Sequence, residues 1–95
     1  GHVDTTTIVS EILELENSWE YYFEKKFNKN NRFVVEKGSI SINGISLTVA
    51  KVENNTFMIS VIDHTFHHTN LKFLQKSDQV NIEFDYLARF ILNNE

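Results

Sequence analysis

The sequence predicts an all-β protein, an antiparallel barrel of six short strands followed by one C-terminal helix. Apolar and polar residues alternate through most of the chain, with the period of a half-buried strand. Asn, Asp and Ser separate the alternating runs, because the chain has no proline and three glycines from which to build turns. A helical spacing of apolar residues follows the last alternating run.

Two strands are predicted in the N-terminal part of the chain. Residues 3–15 are rich in Thr, Ile and Val, and their alternation fails at Ser10 and Glu11, where we expect a bulge. A turn at residues 17–18 leads into the second strand, one face of which carries Trp19, Tyr21 and Phe23. Residues 25–31 form a polar connection to the next strand.

The centre of the chain predicts a hairpin and a further strand. Asn43-Gly44 favours a two-residue hairpin turn, because both central residues of such a turn need positive φ. The apolar faces of the two hairpin strands are Ile40 and Ile42, then Ile45, Leu47 and Val49. A second turn at Asn54-Asn55 precedes the fifth strand, whose apolar face is Phe57, Ile59 and Val61.

The C-terminal part is less regular. Residues 63–70 are polar and predicted to be irregular, and residues 71–77 favour no single element. The sixth strand carries Val80, Ile82 and Phe84 on one face. Asp85 can cap the final helix, whose apolar stripe is Tyr86, Leu87, Phe90 and Ile91.

Composition restricts the class of protein. Ninety-five residues with 41% hydrophobic side chains form one domain, which we assign to residues 1–95. The net charge of −4 disfavours a general nucleic-acid binder, and no apolar run approaches the length of a membrane span. The absence of cysteine excludes a disulfide framework and a thiolate metal site, and it agrees with a cytoplasmic location. The chain begins with Gly1 rather than Met, which indicates a processed chain or a part of a longer one.

Five segments, in order and spacing, resemble the riboflavin synthase family. They are Gly1-His2-Val3-Asp4, Lys37-Gly38-Ser39-Ile40, Gly44-Ile45-Ser46-Leu47-Thr48-Val49, His64-Thr65 with Thr69-Asn70-Leu71, and Val80-Asn81-Ile82-Glu83-Phe84-Asp85. The resemblance extends over nearly the whole chain and implies a six-stranded antiparallel Greek-key barrel with a short C-terminal helix. Two positions depart from the family pattern: Asp63 stands where proline is common, and Ser77 where glycine is common.

The resemblance also implies an activity. The family's polypeptide is two such barrels in tandem, and this chain is similar to the second, so the first barrel is expected outside it. Such enzymes convert two molecules of 6,7-dimethyl-8-ribityllumazine into riboflavin and 5-amino-6-ribitylamino-pyrimidinedione by transfer of a four-carbon unit, without a metal or a redox cofactor. The substrates meet between the second barrel of one subunit and the first barrel of a neighbour, in a cytoplasmic homotrimer. No nucleic acid or membrane is an expected partner.

Ser46 and Thr48 are the first candidate site residues. They alternate with Ile45, Leu47 and Val49 and therefore share the opposite face of their strand. In an anonymous barrel such a face is most simply solvated or paired across strands. By resemblance, both hydroxyls bind the ligand, and Ser46 is also assigned a catalytic role.

Other candidates follow from the same resemblance. His2 has the pKa range for proton transfer and is assigned a catalytic role, although a histidine near a chain end is often merely exposed. Lys37 and Gly38 are assigned to substrate binding, against the alternatives of a solvent-exposed charge and a turn glycine with positive φ. Substrate binding is likewise assigned to Ile62, Thr65 and Asp85, the last of which can also serve only as a helix cap.

His64, His67 and His68 resemble a metal-binding cluster, but no carboxylate or cysteine pattern completes a recognised site. We expect exposed histidines and no metal.

Two alternative functions remain open at this point. The chain can be a non-catalytic lumazine- or flavin-binding module, like relatives of the same fold that hold a fluorophore. It can also be an oligonucleotide-binding barrel, which requires a basic and aromatic face. Trp19, Tyr21 and Phe23 alternate with Glu20 and Glu24 rather than with lysine, which argues against nucleic acid.

Overall fold

A computed structural model describes residues 5–25 and 36–84 of the chain. In these ranges six strands close into an antiparallel barrel in the order β1-β2-β5-β4-β3-β6. The strands are β1 (Thr5–Glu14), β2 (Ser18–Glu24), β3 (Ser39–Ile42), β4 (Ile45–Val52), β5 (Thr56–Ile62) and β6 (Gln79–Phe84). Strands β3, β4 and β5 follow one another as neighbours. Strand β2 lies beside β5 rather than β3, and β6 lies beside β3 rather than β5, so the connections into and out of this group both cross to its far side. This is the Greek-key arrangement, and the predicted fold class is confirmed.

The core is built from the predicted alternating faces. The side chains directed into the barrel are almost fully buried, namely Val9, Tyr21, Phe23, Ile40, Ile42, Val49, Phe57, Ile59, Val61, Val80 and Ile82. Ile45 and Leu47 pack against this core but remain partly exposed. In β4, Val49 is therefore the one residue that is almost fully buried.

The predicted bulge in β1 is confirmed. The register of β1 against β2 shifts between Val9 and Glu11. Residues 5–8 pair with β6, whereas Val9 and residues 11–14 pair with β2, so the irregularity lies next to the point where the strand passes from one neighbour to the other. The Ser10 hydroxyl at this point donates to the backbone oxygen of Tyr22 at 3.1 Å. The failed alternation thus marks a change of pairing partner.

The hairpin turn is also confirmed. Asn43 and Gly44 adopt φ of 50° and 86°. The side-chain oxygen of Asn43 accepts a hydrogen bond from the backbone N–H of Asn81 at 2.8 Å, and the backbone N–H of Asn43 donates to the backbone oxygen of Asn81 at 2.9 Å. The turn between β3 and β4 is therefore fixed to β6 as well.

The prediction of an irregular segment at residues 63–70 is wrong for its first part. Asp63–His67 form a short helix, α1, and Asn70–Phe73 form a 3₁₀ turn. Phe66 and Leu71 are buried from this segment, and the Tyr21 hydroxyl donates to the backbone oxygen of Leu71 at 2.8 Å. Phe66 and Leu71 are too few to give a helical period of apolar residues, so the sequence did not predict the helix.

The predicted final helix at Asp85 and its apolar stripe lie outside the described residues, as do residues 26–35 and the first four residues. Within the described ranges, no helix has the length and apolar character needed to cross a membrane.

Candidate functional site

The pairing of β4 with β5 stops before either strand ends. Val49 opposite Ile59 is the last pair toward the beginning of β4, although β4 starts at Ile45 and β5 continues to Ile62. Within the described barrel, no pair joins residues 45–48 to residues 60–62. We call these two facing segments the open edge.

The backbone of β4 directs polar groups into this gap. The N–H of Val49 donates to the Gly38 oxygen at 2.9 Å, and the Val49 oxygen accepts from the Lys37 N–H at 2.7 Å, so both groups face the β3 side. Because successive residues of a strand direct their amide groups to opposite sides, the N–H and C=O of Ser46 and Thr48 face β5.

The same reasoning applies to β5. The N–H of Asp63 donates to the Asn17 oxygen at 3.4 Å, on the side where β2 pairs with β5. By alternation, the amide groups of Ser60 and Ile62 face the opposite side, toward β4. The open edge therefore presents backbone donors and acceptors from both strands that no strand ladder uses.

Hydroxyl groups line the outer face beside this edge. Ser46 and Thr48 are exposed, as predicted from their alternation with apolar neighbours. Each faces a serine across the β3–β4 ladder: Ser41 lies opposite Ser46 and Ser39 opposite Thr48. Directly opposed residues on one face have Cβ atoms about 4.5–5.5 Å apart, so these residues form a compact group of four hydroxyls, the hydroxyl row.

Sequence reasoning missed three members of this surface. Ser39 and Ser41 lie in the hydroxyl row, and Ser60 is exposed on the outer face of β5 between the buried Ile59 and Val61. The pattern Ser39-Ile40-Ser41-Ile42 alone places both β3 serines on the polar face of their strand. The two-residue turn at Asn43-Gly44 also fixes the register of the hairpin, so the position of this face beside Ser46 had a sequence signal too.

Ile62 supplies the apolar part of the site. It is the last residue of β5 and is 61% exposed, although its neighbour Val61 is buried. On the register of Val49 with Ile59, an extension of the ladder would place Ile62 beside Ser46. An exposed isoleucine thus lies across the open edge from the first predicted hydroxyl.

Thr65 lies next to the edge rather than on it. It belongs to α1, which starts directly after Ile62 and packs against β2 and β5. The side chain is half-buried, and its backbone oxygen accepts from the Thr69 hydroxyl at 2.7 Å. The structure therefore places Thr65 on the β5 side of the site, apart from the hydroxyl row on β3 and β4.

Lys37 and Gly38 lie at the other end of the hydroxyl row, immediately before β3. Both form backbone hydrogen bonds with Val49, and Gly38 directly precedes Ser39, the partner of Thr48. The residue with positive φ in this turn is Lys37, at 66°. The alternative interpretation of Gly38, as a turn glycine with positive φ, is therefore wrong. The Lys37 side chain is exposed.

Two predicted residues, His2 and Asp85, lie outside the described ranges. The histidines after β5 are described and exposed, and the rings of His64 and His68 approach to 4.3 Å between centroids. Across residues 5–25 and 36–84, no group of three or more His, Cys, Asp or Glu side chains is placed to hold a metal ion.

The chemistry of the site is that of a neutral polar surface. The open edge and the hydroxyl row consist of Ser, Thr, Ile, Leu and Val residues and carry no ionisable side chain. Free amide N–H and C=O groups can pair with a flat heterocycle that presents both acceptors and donors on one edge, while the hydroxyls can bind a polyol. An isoleucine at the rim can cover one face of such a ring.

Comparison with known proteins agrees with this geometry. A family model described as the lumazine binding domain matches residues 1–85. The riboflavin synthase of Actinobacillus pleuropneumoniae is 41% identical over 91 residues, a match that covers 96% of this chain and 42% of the relative. The riboflavin synthase of Escherichia coli is 36% identical over 85 residues, covering 90% and 40%. The chain thus spans about two fifths of the length of the curated relatives it matches.

Solved structures show the same fold. LumP in complex with 6,7-dimethyl-8-(1'-D-ribityl)lumazine superposes with a TM-score of 0.77 at 20% identity, covering 87% of this chain and 46% of LumP. LumP in complex with riboflavin superposes with a TM-score of 0.76 at 21% identity, covering 86% and 44%. At this identity the likeness is evidence for the barrel alone.

Proposed function

Since this chain belongs to the lumazine binding domain family, we propose that it is the second barrel of a riboflavin synthase and binds 6,7-dimethyl-8-ribityllumazine at the open edge. The observation that carries the proposal is the unpaired stretch between β4 and β5, bordered by the hydroxyls of Ser46 and Thr48. The curated relatives are riboflavin synthases, and LumP holds a lumazine and riboflavin on the same fold.

The ligand matches the open edge in its chemistry. The pyrimidinedione part of a lumazine carries imide oxygens and nitrogens, which suit the amide groups of Ser46, Thr48, Ser60 and Ile62. Its ribityl chain is a row of hydroxyls, which suits the hydroxyl row and Lys37. The Ile62 side chain covers the ring. Gly38, Thr65 and Asp85 complete the proposed binding residues.

The proposed reaction is the dismutation of two lumazines. A proton leaves an acidic ring methyl group of one molecule, the resulting carbanion adds to the other ring, and a four-carbon unit is transferred to give riboflavin and 5-amino-6-ribitylamino-pyrimidinedione. The atoms of two lumazines equal those of the two products, so no external oxidant or cofactor is required. Ser46 would stabilise an anionic ring by hydrogen bonding, and His2 would move the proton.

The site is proposed to be half of an active site. Two lumazines must face each other, so the second lumazine is held by the first barrel of a neighbouring subunit, in a cytoplasmic homotrimer. The proposal is supported by coverage, because this chain matches about two fifths of both curated riboflavin synthases compared with it. The isolated chain is therefore expected to bind lumazine and to turn it over weakly or not at all.

A non-catalytic lumazine- or flavin-binding module is the second candidate function. It is favoured by the same observation, a neutral edge that can hold a ligand without acid–base chemistry. Both functions require binding at the open edge, and they differ in whether the protein containing this barrel produces riboflavin.

The experiment has a binding arm and a catalytic arm. Lumazine binding to the 95-residue chain is measured by fluorescence polarisation for the unchanged chain, Ser46→Ala and Thr48→Val, with Thr56→Val at the far end of β5 as the matched control. Loss of one hydrogen bond should raise Kd about two- to tenfold for the first two variants and leave the control unchanged. Equal affinities in all four chains would contradict the assigned site.

The catalytic arm uses a two-barrel protein that contains this domain. Ser46→Ala and His2→Ala should each lower kcat/KM for riboflavin formation well beyond surface controls such as Lys76→Ala. Lumazine binding without any riboflavin formation by the unchanged two-barrel protein would instead establish the binding module.

A further inference from the structure

We propose that Trp19 is a positioning residue for the open edge, holding the junction of β5 and α1 through its hydrogen bond to Asp63 and its ring contact with Phe66. The inference rests on the proposed function, because the junction it holds carries Ile62 and Thr65, two of the proposed ligand-binding residues.

Trp19 contacts both ends of α1. Its indole Nε1 donates to Oδ1 of Asp63 at 3.2 Å, at the first residue of the helix. Its ring stacks on Phe66 with centroids 3.8 Å apart and the planes inclined by 1°. Thr65 lies between these two attachment points, and Ile62 immediately precedes the first. One side chain on β2 therefore fixes the segment that follows the open edge.

Helix α1 depends on such contacts because it cannot hold its own position. It has five residues, far fewer than an isolated helix needs to persist in water. Its N-cap residue is Ile62, whose side chain forms no capping hydrogen bond with the first turn. Buried Phe66 gives the helix its attachment to the barrel, and Trp19 is the ring on which Phe66 stacks.

Trp19 itself is firmly placed. It pairs with Val61 in the β2–β5 ladder and packs, partly buried, against the barrel core. The ladder joins Trp19 to the strand that carries the open edge, and its side chain joins that strand to α1. Displacement of Asp63 would therefore move Ile62 and Thr65 relative to Ser46 and Thr48, which are held by the separate β3–β4 ladder.

The test compares variants that separate the hydrogen bond from the charge and from stability. Asp63→Ala removes the acceptor, Asp63→Asn keeps an acceptor oxygen at the same place, and Trp19→Phe keeps an aromatic ring for Phe66 but removes the donor. Ser10→Ala is the matched structural control, because it deletes a side-chain-to-backbone hydrogen bond between β1 and β2 at the bulge, in a pair of strands that does not form the open edge.

The probe is 6,7-dimethyl-8-ribityllumazine, and the readouts are its Kd and the midpoint of thermal unfolding for each 95-residue variant. We expect Asp63→Ala and Trp19→Phe each to raise Kd about two- to tenfold. The variant that carries both substitutions should have a Kd no higher than that of either single variant, because both remove the same hydrogen bond. Asp63→Asn should bind nearly as the unchanged chain does. Ser10→Ala should lower the unfolding midpoint and leave Kd unchanged.

Three results would overturn the inference. If Asp63→Ala and Trp19→Phe lower the unfolding midpoint but not the affinity, their contact is only structural, and the proposed function stands as long as Ser46→Ala weakens binding. If Asp63→Asn binds as poorly as Asp63→Ala, the carboxylate charge rather than the hydrogen bond matters. If the unchanged chain does not bind lumazine, the proposed function and the positioning role fail together.

Discussion

Toward the beginning of β4, the pairing with β5 stops at Val49 opposite Ile59, and the N–H and C=O of Val49 both bond to the turn before β3. The amide groups of Val49 therefore face β3, while those of Thr48 and Ser46 face β5. The ladder ends at this residue although both strands continue. A ligand that supplies the missing hydrogen bonds can take the place of a strand partner along these residues.

The exposed side chain of Ile62 is expected to contribute to ligand affinity and little to stability. Replacement by alanine removes apolar surface that is already 61% exposed in the free chain, and which a bound ring would cover. Ile62→Ala should raise Kd for 6,7-dimethyl-8-ribityllumazine about five- to thirtyfold, corresponding to about 1–2 kcal/mol, as measured by fluorescence titration.

Phe73 provides a matched control for that variant. It is 72% exposed at the end of the 3₁₀ turn and belongs to neither strand of the open edge. Phe73→Ala should leave Kd unchanged, and an equal loss of affinity in both variants would show that general surface hydrophobicity, rather than the position of Ile62, governs binding.

Ser77 is expected to limit stability. It adopts a φ of 79°, which costs an L-residue roughly 1–2 kcal/mol and glycine little. Its N–H donates to the Val9 oxygen at 2.8 Å, which holds the turn in this conformation. Ser77→Gly should therefore raise the free energy of unfolding in urea by about 0.5–1 kcal/mol, after the greater entropy of an unfolded glycine is subtracted.

Ser60→Gly, in a strand without positive φ, should destabilise the barrel and serves as the control. A lower stability for Ser77→Gly would mean that the serine makes an interaction worth more than its backbone strain.

Tyr21 makes stability sensitive to alkaline pH. Burial raises the pKa of its hydroxyl from 10.0 to about 12. Because the folded state holds this proton more tightly than the unfolded chain, the contribution of Tyr21 is fully present below pH 10.0 and is lost as the pH rises toward about 12. Urea unfolding between these pH values should show a falling free energy of unfolding.

Tyr21→Phe is the control for that titration. It lacks the ionisable group, so its stability should fall less steeply over the same pH range. At neutral pH it should be less stable by about 1–3 kcal/mol, since the Leu71 oxygen loses its buried donor. Parallel pH profiles for the two proteins would contradict the role of Tyr21.

The strands could be predicted because their faces alternate in the sequence. Phe57, Ile59 and Val61 face the core regardless of where the neighbouring strands lie, and Asn43-Gly44 defines its turn locally. Helix α1 could not be predicted in this way, since its position depends on a contact between Phe66 and Trp19, which are far apart in the sequence. The positive φ at Lys37 has a similar cause, because it accompanies a hydrogen bond to Val49.

The candidate site was only half visible in the sequence. Ser46 and Thr48 followed from alternation together with the family resemblance, but alternation is the same in paired and unpaired stretches of a strand. The end of the ladder at Val49 and Ile59 therefore had no sequence signal. Ser39 and Ser41 had a signal, because the alternation in β3 and the two-residue turn at Asn43-Gly44 together place them opposite Thr48 and Ser46.

The most direct test of the open edge is the hydrogen exchange of its four amides that face the gap between β4 and β5, followed by NMR without and with 6,7-dimethyl-8-ribityllumazine. In the free chain the N–H groups of Ser46, Thr48, Ser60 and Ile62 should exchange rapidly, whereas that of Val49, bonded to Gly38, should be protected. Saturating lumazine should shift these four resonances and slow the exchange of those amides that bond to the ring. Four amides already protected in the free chain, or unchanged while others respond to the ligand, would contradict the account.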